Sequence, residues 1–294
     1  MGKTATNTIK QIQHLKDRGM DLDYEESKIK EFLLDIGYYR LGFYWNPFEK
    51  DDEHNFIDGT KFSTVIKLYY MDVDLRNILS RYINRIEINF RTKLVYYVSN
   101  ANKNSPTWFA DPTIVGTDFT DKIDEYYDDK FKRYNKTIKT HHTKYINDKY
   151  APAWKTLEFF TFGVIYNIYN NVKDENIKTR ISKEFGVYNY TKFKNLIETI
   201  ILVRNICAHG DVLFDLKTPK GISIIPEFSF NNNDRSSLDS CIKVVYYFLG
   251  QISKNRQKDM KRDIEEVFEG VKANPDLKDI VTGSINYNYH ILLT

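Results

Sequence analysis

The sequence predicts a mainly α-helical protein, and two observations carry that prediction. Only 7 prolines and 13 glycines occur in 294 residues, and they fall mostly between long periodic segments rather than inside them. Apolar residues recur at three- and four-residue steps, as in Leu68, Met71, Leu75, Leu79, Tyr82, Ile86 and Phe90. That spacing lines one buried face of a helix.

Taken in order, Thr8 to Arg18 reads as a short helix stopped by Gly19, and Tyr24 to Ile36 as a second after the Asp21/Asp23 turn. The glycines and Pro47 of "IGYYRLGFYWNPFEK" are expected to break the helix there. Thr64 to Ser99 reads as one long helix or two abutting ones, followed by the loop "NANKNSPTW". Asp121 to Ile146 is charged, Ala153 to Val172 apolar and aromatic, and Glu175 to Phe185 a short helix closed by Gly186. Thr191 to Ala208 carries its apolar residues on one side. "LKTPKGISIIPEFSF" then reads as irregular chain or a small hairpin turning at Pro219 and Gly221. Asp234 to Lys254 and Met260 to Phe268 are the last helices the pattern supports. With no internal repeat and no low-complexity linker, the chain divides into an N-terminal helical extension (1–60), a helical core (61–215) and a C-terminal hairpin with helices (216–294) that completes the same unit.

Composition excludes several classes of function. Hydrophobic residues make up 41% and charged residues 28%, a balance that supports a packed core and argues against long disorder. No apolar run reaches the ~20 residues of a membrane helix, and the N-terminus lacks the apolar core of a secretory signal. Cys207 and Cys241 lack metal or redox spacing, so a reducing cytoplasmic setting with free thiols is expected. A net charge of +3 means that any nucleic-acid contact must come from local clustering. Walker, GxGxxG, HExxH and GxSxG patterns are missing, which removes the common nucleotide, zincin and hydrolase readings. No metal and no cofactor are expected.

The segment "RNICAHGD" ends the helix that begins near Thr191. Phe193, Leu196, Ile197, Ile200, Ile201 and Val203 form its core side, and Arg204, four residues after Ile200, borders that stripe. Asn205 and His209 are four apart and within reach of each other, so the amide is expected to orient the imidazole. Gly210 is a natural residue to stop the helix. Histidine exchanges protons near neutrality, as general acid–base work requires. Arginine beside it can hold a phosphate on two donors and stabilise a charged phosphorane. RNA brings its own nucleophile in the 2′-hydroxyl, so such a pair needs no metal to leave a 2′,3′-cyclic phosphate. One Arg and one His are thin equipment, and a two-fold dimer would double it.

"RNICAHGDVLF" resembles the Arg-x4-His motif of HEPN-domain ribonucleases, including the Asn that follows the Arg. The segments "QIQHLKDRGM", "LLDIGYYRLGFYWNPF", "RIEINFRTKLVYYVS" and "PAWKTLEFFTFGVIYNIYNNV" resemble, in the same order, the Abi family of abortive-infection proteins of the AbiD/AbiF type. The resemblance spans about residues 8 to 215. It implies a HEPN-like helical bundle for the core and a homodimer with a composite site. It further implies metal-independent RNA cleavage as a toxin in phage defence, regulated by an RNA or protein antitoxin. The positions that match are Arg204, Asn205 and His209. Many relatives continue with a second histidine and a further arginine; Gly210 to Phe214 stand there instead. The alternative reading is a non-catalytic module that holds a structured small RNA.

Other segments offer RNA contacts. In "RIEINFRTK" the pair Glu87 and Arg91 suits a helix-face salt bridge, while Arg85 or Arg91 could instead reach the dimer cleft and hold phosphate. "SKNRQKDMKR" sets Lys254, Lys258, Lys261 and Arg262 along one helical side, a candidate backbone stripe. In "GYYRLGFYW", Arg40 among aromatic rings is expected to pair a carboxylate or stack on a ring. "KFKRYNKTIKTHHTKY" interleaves Lys130, Lys132, Arg133, Lys136, Lys139 and Lys144 with Phe131, Tyr134 and Tyr145, which suits single-stranded RNA. Asp121, Asp124, Glu125, Asp128 and Asp129 just before it allow an equally good reading as a self-neutralising, solvated helix. His141 and His142 have no cysteine or carboxylate at ligand spacing.

Overall fold

A 40-residue helix, α4 (Phe62–Ala101), is the axis of the molecule. At 1.5 Å per residue it runs about 60 Å. The computed structural model describes residues 4–227 and 229–288; the last six residues of the C-terminal segment lie outside them. Before α4 come α1 (Thr8–Asp17), α2 (Glu26–Phe32) and α3 (Tyr38–Trp45). After it run the short helices α5 (Thr117–Thr120), α6 (Ile123–Tyr126), α7 (Asp129–Tyr134), α8 (Lys136–Lys144) and α9 (Ala153–Thr156). Then follow α10 (Phe162–Asn171), α11 (Glu175–Glu184), α12 (Tyr190–His209), α13 (Leu238–Ile252), α14 (Lys254–Lys272) and α15 (Pro275–Gly283). Among the described residues there is no strand, only isolated bridges. The fold is a mainly α-helical bundle, as the periodicity predicts.

The apolar stripe of α4 is buried as its spacing requires, from Leu68 and Met71 to Phe90, Leu94 and Val98. Helices α12, α13 and α14 pack along it, with α3, α10 and α11 filling the remaining sides. Phe90 is the meeting point. Its ring centroid lies 5.1 Å from Tyr169 on α10, 5.9 Å from Phe162, and 6.3 Å from both Phe185 and Phe193. Phe248 of α13 closes the cluster at 5.3 Å from Phe185 and 5.8 Å from Phe193. Aromatic edges and faces at these separations add directional contact to the area they bury.

Four expectations need correction. The helix is not broken throughout 33–48: a π-turn spans Leu33–Gly37, Gly37 takes φ +95°, and α3 then continues through Gly42. The charged segment 130–145 is not one solvated helix but two short ones, because Asp128 caps α7 and the backbone turns non-helical at Asn135 (φ −93°, ψ 102°), whose side-chain amide donates to Phe131 O. The C-terminal hairpin is not formed among the described residues of 216–236, which follow the irregular-chain alternative, tied by Thr218 N–H to Ser236 O (2.9 Å) and Ile222 N–H to Arg235 O (2.8 Å). Helix α15 went unforeseen, although Asn274 as cap and Pro275 in the first turn are a start signal.

The end of α12 is fixed from outside the helix. Gly210 adopts φ +70°, its N–H bonds Cys207 O at 3.3 Å, and Asp211 N–H bonds Ile206 O at 3.0 Å, a Schellman stop. Beyond it, the Asp72 carboxylate of α4 accepts Leu213 N–H at 3.1 Å, Phe214 N–H at 2.6 Å and the Tyr44 hydroxyl at 2.8 Å. Arg76 pairs with Asp72 and also donates to Asp211 O at 2.9 Å, while Arg40 donates to Gly210 O. Burial pushes the Asp72 carboxyl above its usual range, against the pull of Arg76, Tyr44 and the two backbone donors.

Removing one member of such a buried network leaves the others unpaired. Asp72→Ala is expected to lower the unfolding free energy by about 3–5 kcal/mol, and Gly210→Ala by about 1–2 kcal/mol for its left-handed backbone. Urea titrations of the two variants check both values, and equal losses would contradict the clamp.

Candidate active site

Helix α12 packs one apolar face on the core over its first three turns, with Phe193, Leu196, Ile197, Ile200 and Val203 all buried. Its last turn emerges from the core. Arg204 is partly exposed, Asn205 and His209 are exposed, and Cys207 stays in contact with the core. Burial pushes the Cys207 thiol up to about 12, so it is a packing group rather than a nucleophile.

Arg204 and His209 leave the same helix end in different states. His209 is exposed and makes no hydrogen bond or ion pair among the described residues. Arg204 is oriented from two sides: its Nη1 donates to Asn205 Oδ1 at 3.3 Å, and its Nε lies 3.6 Å from Glu87 Oε2. The expected Asn205–His209 contact is therefore replaced by an Asn205–Arg204 contact, since the neighbouring guanidinium is the nearer and stronger donor.

Glu87 in turn is held by Arg91. Arg91 Nη2 donates to Glu87 Oε1 at 2.8 Å and to Phe160 O at 3.2 Å, and Arg91 Nη1 lies 3.7 Å from Glu158. Arg91 is 8% exposed, so its guanidinium faces protein and not solvent. The helix-face salt bridge read from "RIEINFRTK" is present, and it reaches one residue further than expected, to Arg204. Arg85 is half-buried, with Nε buried and unpaired among the described residues.

Lys254, Lys258, Lys261 and Arg262 are exposed on α14, which packs on α4 and α13. Lys261 lies 3.7 Å from Glu265, and Arg262 lies 3.5 Å from Asp259 and 3.0 Å from Asp263, so half of that stripe has local acid partners. A 630 Å³ hollow between α4 and α14 is lined by Lys67, Tyr70, Asp74, Arg81 and Glu266 among others. No motif residue lines it. The motif stands on open surface.

The residues that position the motif were mostly hidden from sequence reasoning. Among the described residues Arg40 neither pairs a carboxylate nor stacks; it caps the carbonyl of Gly210, where a cation suits the negative end of the helix. Tyr44, Asp72, Arg76 and Glu87 complete the support. A signal did exist for one pair: Asp72 and Arg76 sit four apart within the apolar stripe of α4, and a charged pair there asks for a buried partner.

No characterised protein and no solved structure matches the chain. The pattern of the Abi-like proteins does, over residues 31–215. That span contains the π-turn and α3, the whole of α4, the Glu87–Arg91 pair, α12 and the Asp72 clamp. It covers more than half of the sequence, and the chain belongs to the family of Abi-like proteins.

Proposed function

We propose that this protein is a metal-independent endoribonuclease of the HEPN type, acting as the toxin of an abortive-infection system in phage defence. The observation that carries the reading is the helix end itself. A partly exposed arginine beside Glu87 and an exposed histidine five residues later, with no partner among the described residues, emerge from the end of one helix. Arg204 meets the non-bridging phosphate oxygens, with Asn205 steadying the guanidinium. The 2′-oxygen attacks the adjacent phosphorus as His209 takes its proton. The bond from phosphorus to the 5′-oxygen then breaks, and that oxygen takes a proton as it leaves. The products are a 2′,3′-cyclic phosphate and a free 5′-hydroxyl. A second copy related by a two-fold axis supplies a second Arg204 and His209, so that one imidazole accepts a proton while the other donates one. An RNA or protein antitoxin would restrain such a site by covering it.

His209→Ala is expected to lower kcat for RNA cleavage by about 10²–10⁴-fold, and Arg204→Ala by about 10²–10³-fold, with the fold and the dimer mass by light scattering unchanged. Cleavage that continues at full rate in His209→Ala overturns the reading. RNA bound tightly but never cut by the unaltered protein would favour the small-RNA holder instead.

Chelation supplies an independent check. Treatment with EDTA is expected to leave both the rate and the cyclic-phosphate ends unchanged; loss of cleavage on chelation, restored by a divalent cation, contradicts the mechanism.

A further inference from the structure

The α7–α8 hairpin carries a concentration of positive charge that the proposed site does not use. Asp129, Lys132, Arg133, Lys139, His142 and Thr143 surround an open hollow of 480 Å³. The acids of the preceding stretch favour a self-neutralising reading of this segment, but two of the five, Asp124 and Asp128, have partners outside the hollow. Asp128 caps α7 by accepting Phe131 N–H at 2.6 Å. Asp124 binds Lys149 at 3.0 Å and the Tyr150 hydroxyl at 2.6 Å. Asp148, which follows α8, is paired with His141 at 3.0 Å. Of these acids only Asp129 lines the hollow, 3.8 Å from Lys132, while Asp124 and Asp148 act on Lys132 and His142 from outside it. Lys130, Arg133, Lys136, Lys139 and Lys144 have no carboxylate partner among the described residues.

The hairpin is also joined to the proposed site. Phe131 of α7 packs 5.3 Å from Phe160, and Phe160 O accepts from Arg91, which holds Glu87 and through it Arg204. Beside the hollow the Tyr134 ring is 74% exposed. An exposed ring with Arg133 5.8 Å from its centroid, next to cations without carboxylate partners, is what a single strand uses, the base on the ring and the phosphate on the cations.

We propose that this hairpin is a second RNA contact. The hollow of Lys132, Arg133, Lys139 and His142 takes a backbone phosphate of the single strand cut at Arg204/His209, and Tyr134 stacks a neighbouring base. The proposal rests on the ribonuclease reading for its ligand, and phosphate contacts away from the scissile bond bind ground and transition states alike.

The test uses the full chain and a short fluorescent single-stranded RNA of mixed sequence. Binding is measured against salt in a His209→Ala background, and cleavage in the active protein. Arg133→Ala with Lys139→Ala is expected to weaken binding about 10-fold and to lower the log–log salt slope by about 0.7, the share of one single-strand phosphate contact. In the active protein it raises KM and spares kcat, the opposite of His209→Ala. Asp129→Asn removes the acid facing the hollow and tightens binding, a gain that damaged folding does not produce. Unchanged affinity in the Arg133/Lys139 variant, or no gain in Asp129→Asn, overturns the hairpin contact and leaves the cutting site standing. A His209→Ala protein that binds no RNA, with an active form that cuts none, overturns both.

Discussion

The carboxylate of Asp72 is the contact on which the rest of the arrangement depends. It lies fully buried on α4 and joins α3, through Tyr44, to backbone donors 141 and 142 residues away in sequence. A buried charge is tolerated only when its hydrogen-bonding capacity is filled. Arg76, Tyr44, Leu213 N–H and Phe214 N–H fill it together, so the chain after α12 has one favourable path. The two carbonyls that follow α12, those of Gly210 and Asp211, are met in the same step by Arg40 and Arg76. A helix end that would otherwise fray is thereby fixed from beyond its own last residue.

That fixation lets α12 serve two ends. Its first three turns are anchored by the aromatic cluster around Phe90, where volume and shape decide stability. Its last turn projects polar side chains into solvent without loosening, because the backbone there is held by Asp72, Arg76 and Arg40 rather than by burial of Arg204 or His209. The residues proposed for chemistry are therefore not those that hold the fold. They can meet a ligand without first breaking a structural contact, save for the long approaches of Arg204 to Glu87 and to its neighbour Asn205.

The parts legible in the sequence are those written in local spacing. The stripe of α4, the packed face of α12, the Gly210 stop and the Glu87–Arg91 pair all follow from three- and four-residue steps. The clamp was not legible, because its partners lie far apart in sequence and a lone Asp or Tyr carries no sign of where a distant backbone N–H will fall. Arg40 shows the same limit: its ring-rich neighbours suggested stacking, whereas its partner is a carbonyl 170 residues on. Asn205 failed for a different reason. Helical spacing allowed contact with His209, but an adjacent guanidinium competes for the same amide oxygen and carries full charge.

Glu87 also decides what Arg204 can do. One carboxylate serves two guanidiniums, and it serves them unequally: 2.8 Å to Arg91 and 3.6 Å to Arg204. Arg91 is buried and further bound to the Phe160 carbonyl, so it holds Glu87 toward the protein interior. Coulomb attraction falls with distance and with solvent around the pair, which leaves the partly exposed Arg204 oriented but incompletely neutralised. Its Nε edge faces Glu87 and its Nη1 faces Asn205, while the remaining N–H donors have no partner among the described residues. A tighter ion pair would orient the side chain better but compete with any phosphate for its charge. A missing carboxylate would leave the charge free but the side chain loose. The long, shared contact sits between these limits, fixing the direction of the guanidinium while keeping its positive charge for an anion.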